Sequence, residues 1–241
     1  MLTPATSILV HLSAVEHERA RREAAPRLGA KVAALKAYQQ RRFSHTYADL
    51  LESARYGPAS RFFLDELYGP TDFTRRDAQL ERVVPTLVRL FPKEIVAAVG
   101  TLAQLHSISE ALDTAMGEHL DECAIHSIDY VRAWQKTGRL ADRQAQISLT
   151  IDVAGRLNRF THRGLLRHSL RMMRGPARAA GLTELQRFLE AGFDTFRKMN
   201  GAEDFVTIVE EREQRLASSL FGAELKRADD VRTVKALDAL P

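Results

Sequence analysis

Cysteine is all but missing from this chain. Cys123 is the only one in 241 residues, which excludes an intramolecular disulfide and fits a reducing compartment, the cytoplasm by expectation. Proline is scarce where it would interrupt helices: the eight prolines fall at 4, 26, 58, 70, 85, 92, 176 and 241, leaving 93–175 without one. Strand-like alternation of apolar and polar residues is absent, and no uninterrupted apolar run reaches the roughly 18 to 20 residues of a membrane span. The N-terminal stretch has no basic region before its short apolar run Ile8, Leu9 and Val10, and residues 16–22 are densely charged, so it reads as a helix start and not a signal peptide. Gly-x-Ser-x-Gly, phosphate-cradling glycine loops and close-spaced Cys/His quartets are missing too, which removes the corresponding hydrolase, nucleotide and zinc readings. A catalytic Cys123 is disfavoured by Asp121 and Glu122, which oppose a thiolate.

What is present is helical periodicity nearly everywhere. With 45% hydrophobic and 27% charged residues the composition is that of a globular chain, and its pattern predicts an all-α bundle of about nine helices. A single domain is expected over 1–221, followed by a charged, fraying tail at 222–241. Helices are predicted over 7–24, 28–53, 93–117, 118–136, 141–160, 162–174, 183–199 and 202–221. Another runs from an Asp72 cap to residue 90, kinked or split at Pro85. Gly138 is read as a stop, Asn200-Gly201 as a tight turn, and Thr183 with Gln186 as a capping box.

The tripeptide Tyr56-Gly57-Pro58 recurs twelve residues later as Tyr68-Gly69-Pro70. Each predicts a corner: a left-handed glycine past one helix end, then a proline preset for the next first turn. Between them lies a short helix carrying Phe62, Phe63 and Leu67. Tyr56, Phe62, Phe63, Tyr68 and Phe73 gather five of the chain's aromatics, as expected for a helix plugged into a core. The run Phe62-Phe63-Leu64-Asp65-Glu66-Leu67-Tyr68 resembles the signature of the bacterial FFLEELY-motif proteins, with Asp65 where that signature has Glu. The resemblance extends toward 185–204 and implies no activity, so no functional residue is carried over from it.

Two constellations carry chemistry. His106, Glu110 and Asp113 follow i, i+4, i+7 spacing, and His119, Cys123 and His126 repeat it, so two helices could offer a metal or haem site, or an oxidative centre. Against this, helical di-iron sites need Glu-x-x-His, whereas Glu122 and His126 are four apart; a solvated acidic face and a small buried Cys123 are the plainer reading. The second constellation is a stretch from 153 to 183 with no acidic residue, in which Arg156, Arg159, Arg163, Arg167, Arg171, Arg174 and Arg178 recur at intervals of 3, 4, 4, 4, 3 and 4. On a continuous helix these form one stripe suited to phosphates or carboxylates, although Gly164 and Gly175-Pro176 threaten its continuity and the acids of 203–213 could pair with it internally. The favoured expectation is a non-enzymatic interaction or regulatory protein that turns this stripe to an acidic protein or nucleic acid, with homodimerisation open and no cofactor fixed. The alternative is a bundle enclosing a small ligand, metal or haem.

Overall fold

In the computed structural model, which describes residues 2–66, 73–161, 164–225 and 231–241, the described residues form α-helices and no strand. Thirteen helices follow in order: α1 (Pro4–Ala24), α2 (Pro26–Thr46), α3 (Ala48–Glu52), α4 (Gly57–Glu66), α5 (Thr74–Leu90), α6 (Lys93–Glu118), α7 (Ser127–Thr137), α8 (Leu140–Thr161), α9 (Gly164–Met172), α10 (Arg174–Ala179), α11 (Thr183–Met199), α12 (Glu203–Gly222) and α13 (Val231–Asp238). Nine of these have ten residues or more, in line with the all-α expectation.

Local chemistry sets most of the ends. The Thr3 hydroxyl accepts from the Thr6 amide at 3.2 Å and Pro4 opens α1, a standard side-chain cap. Pro26 opens α2 after a one-residue corner. Gly138 takes a φ of 62° and closes α7, and Asn200 closes α11 in the left-handed region at φ 52°.

Other ends differ from the sequence reading. Pro85 does not split α5. Asp72, Leu67, Tyr68, Gly69 and Pro70 lie outside the described residues, and the residue before α5 is Phe73. Gly57 is not a left-handed corner; it is the first residue of α4, and its role is close approach. A Cβ there would stand 2.7 Å from the Leu51 carbonyl oxygen. Thr183 does not cap α11; Gln79 on α5 does, its Oε1 accepting from the Leu185 amide at 2.9 Å. The helix expected over 118–136 is a loop followed by α7.

α6 is the central helix, packed against α1, α2 and α8, and α8 in turn carries α11 and α12. It is the one described helix long and apolar enough to cross a membrane by length and composition. Here its apolar run is broken by His106, Glu110 and Asp113. Three apolar clusters build the core. Ile8, Leu12, Val84, Val96 and Ala103 join α1, α5 and α6. Phe43, Tyr47, Phe63, Phe196 and Phe205 gather the aromatic helices. Leu35, Tyr38, Tyr130, Trp134, Leu216 and Leu220 form the third. Phe62 and Phe63 are both buried, Phe62 stacked on Phe188 at 5.7 Å and Phe63 against Phe196 at 6.0 Å. The end of the chain is packed as well: Ala236 and Leu240 join the third cluster, and Ser127 Oγ donates to the Pro241 carbonyl at 3.0 Å.

Candidate functional site

Between the first and third clusters the core is not apolar. A cavity of about 150 Å³ opens there, walled by Leu12, Leu80, Ala103, Ile147, Trp134 and Leu216 among apolar groups. A band of charged side chains from five helices shares the wall.

On α6, His106 Nε2 lies 2.8 Å from Asp77 Oδ2, and Arg19 Nη2 reaches the same oxygen at 2.5 Å. Burial pushes the Asp77 carboxyl up, but the His106 hydrogen bond and the Arg76 and Arg19 charges outweigh it and leave the group at about 2. Arg76 is held between two rings, 4.0 Å from the Phe73 centroid and 4.6 Å from that of Phe188, a cation-π sandwich. One turn on, Glu110 takes Lys36 Nζ at 2.6 Å on Oε1 and has Arg22 Nη2 2.6 Å from Oε2, the latter a charge contact outside hydrogen-bond alignment. Burial raises Glu110 too, and Lys36 and Arg22 more than reverse it, again to about 2.

Asp113 is different. It is 8% exposed, accepts one hydrogen bond from Gln39 Nε2 at 3.0 Å, and has no ion pair among the described residues. Burial pushes its carboxyl above the ordinary range, with Lys36 working against that and Glu110 adding to it. Further along, Arg42 donates to Glu213 at 2.6 Å, and the Tyr47 hydroxyl donates to the same oxygen at 2.7 Å. Arg143 lies 3.8 Å from the Trp134 ring centroid and donates to Gln146 at 3.2 Å. Charges buried this way cost several kcal/mol each in lost hydration, by order of magnitude, and repay it only where well paired.

The sequence-predicted metal ligands are separated. His106, Glu110 and Asp113 do share the inner face of α6, but His119 is the residue just past α6, His126 the residue just before α7, and both are exposed. Cys123 is exposed in the loop between them, not a small buried residue. No three His, Cys, Asp or Glu side chains among the described residues come together as metal ligands do, and the oxygens of Glu110 and Asp77 are already taken by cations. This donor set does not fit a metal.

The arginine series is spread over α8, α9 and α10, with a turn at Met173 separating the last two. Arg156 pairs with Asp152 at 2.8 Å, Arg167 stands 2.9 Å from Asp194, and Arg174 makes a two-pronged contact with Glu190 at 2.5 to 3.0 Å. Those partners are not the acids of 203–213. Arg159, Arg171 and Arg178 are exposed, without an ion pair among the described residues, and Arg163 lies outside them.

Sequence reading missed Arg19, Arg22, Lys36, Gln39, Arg42, Asp77, Arg143 and Glu213. A signal for two of them existed: Gln39 and Arg42 continue the buried series Val32, Leu35, Tyr38 along α2, where apolar residues are expected.

Fold and site together define a helical bundle with an internal, charge-lined cavity. The chain belongs to the family defined by the domain of unknown function DUF8198, whose model matches residues 18–227. No curated protein and no solved structure matches it.

Proposed function

We propose that this chain binds a small molecule inside the bundle, in the cavity bordered by His106, Glu110 and Asp113. One observation carries the reading: a cavity of about 150 Å³ placed against buried ionisable groups, one of them a carboxylate with a single hydrogen bond. Such groups cost stability in a core, and convergent polar groups on an otherwise apolar wall are the usual design of a ligand site. The resemblance to the FFLEELY-motif proteins supplies no activity and does not bear on the choice. The test uses Trp134, the chain's only tryptophan and part of the cavity wall. A fragment set is titrated against the intact protein while its emission and melting temperature are followed. Ligands are expected to move both, and to lose their effect in Ala103→Leu, which fills space from a wall position that is 1% exposed. A set in which no fragment moves either readout sinks the reading.

A second reading keeps the arginine segment as a surface for an anionic macromolecule, acidic protein or nucleic acid. It is supported by exposed Arg159, Arg171 and Arg178, and by Met172 and Met173, which follow Arg171 and are 69% and 43% exposed. Binding to nucleic acid or to an acidic protein should fall steeply between low and moderate salt and weaken in the triple variant R159Q/R171Q/R178Q. An absence of binding at low salt removes it.

A further inference from the structure

The wall of the cavity also states a preference for the sign of charge it receives. Two donors on cavity-lining side chains are buried without an acceptor: Arg42 Nε and Trp134 Nε1. Both residues are more than nine-tenths buried, at 5% and 8% exposure. A buried N–H left unpaired is costly, so each marks a place where an acceptor belongs. The formal charges point the same way. On the wall itself Lys36, Arg42, Arg76 and Arg143 balance Asp77, Glu110, Asp113 and Glu213; behind it Arg19 is matched by Glu16, and Arg22 adds one cation at Glu110. Of the four carboxylates, Asp77, Glu110 and Glu213 are each matched by a cation, and burial pushes the Asp113 carboxyl above the ordinary range, which lessens its opposition to an anion. Size completes the description. A cavity of about 150 Å³ is the volume that an engineered apolar core offers to a benzene molecule.

Resting on the cavity reading, we infer that the ligand is a small organic acid, a carboxylate on one ring or one short branched chain, whose oxygens accept from Trp134 and Arg42 while its body lies against the apolar wall of Leu12, Leu80 and Ala103. A neutral or cationic molecule of the same shape leaves those donors unpaired or adds to the cationic excess.

The experiment takes benzoate, cyclohexanecarboxylate and isovalerate, each beside its amide and its amine, and measures binding to the full chain by calorimetry and thermal shift at neutral pH. At least one acid is expected to raise the melting temperature and to bind about tenfold or more tightly than its amide, with its amine inactive. Trp134→Phe keeps a ring beneath Arg143 and removes the N–H donor together with part of the indole's bulk, a loss of bulk that acid and amide share; it should weaken the acid about tenfold while leaving the amide nearly unchanged. Amides or amines that bind as well as the acids, or a Trp134→Phe protein that binds the acid undiminished, overturn the acid assignment and leave the cavity reading standing. Silence from all nine probes overturns both.

Discussion

Asp113 and Glu110 are one turn apart on the same face of α6, yet their surroundings push them in opposite directions. Glu110 has two cations on its oxygens; Asp113 has one amide. Its raised folded-state affinity for a proton means that the group favours folding fully below its unfolded value and loses that contribution as pH rises through the folded one. Asp113→Asn, which keeps an oxygen to accept from Gln39, should therefore raise the melting temperature at neutral pH by roughly 2 to 4 °C, the effect of about 1 kcal/mol in a chain of this size. The gain should vanish near pH 4, and melting curves at the two pH values decide it; a variant less stable than the parent at neutral pH contradicts it. Phe63 makes a simpler case, since it is 6% exposed between Phe196 and Phe205. Phe63→Ala should cost about 3 to 5 kcal/mol in chemical denaturation.

At the level of helices, Gly57 separates propensity from packing. Alanine is the better helix former by about 1 kcal/mol, but a Cβ at this position meets the Leu51 carbonyl oxygen, which is backbone and cannot rotate aside. Gly57→Ala should thus destabilise, by roughly 1 to 3 kcal/mol, against the direction that propensity predicts. An unchanged or raised denaturation midpoint would show that α3 and α4 can part without cost. The same contrast explains which helices could be read from sequence. α1, α2 and α7 begin or end on Pro4, Pro26 and Gly138, whose effect is local and visible in the chain. The end of α6 is legible to within one residue, but the loop over 119–126 that follows it is not. Lys31 Nζ on α2 donates to the Leu120 carbonyl at 2.5 Å, and Leu120 and Ile125 are buried, so a residue 89 positions away helps to hold that loop. The inner face of α6 was legible as a spacing of three residues, but Asp77, Arg19 and Lys36, which decide what that face does, come from three other helices and leave no trace in its periodicity.

Across the molecule, the buried charges govern acid stability. Asp77 and Glu110 both sit at about 2, below the ordinary carboxylate range of about 4. Depressed values contribute stability that is complete above about pH 4.5 and is lost as pH falls toward 2, on the order of 2 kcal/mol apiece. The melting temperature should drop through that interval. Asp77→Asn should flatten the drop while costing about 3 to 5 kcal/mol at neutral pH, because Arg76 loses its counter-charge in the core and Arg19 keeps only its pairing with the exposed Glu16. An acid limb that is just as steep in the variant would assign it to other groups.

Arg19, Asp77 and His106 meet at one carboxylate oxygen although they belong to α1, α5 and α6. None of those three helices can lift away without stranding a charge on another, so their backbone amides should exchange with deuterium as one unit with one shared opening energy. Amides in α9 and α10, whose arginine contacts lie at the surface, should exchange earlier and independently, drawing a boundary in time that runs between Thr161 and Thr183.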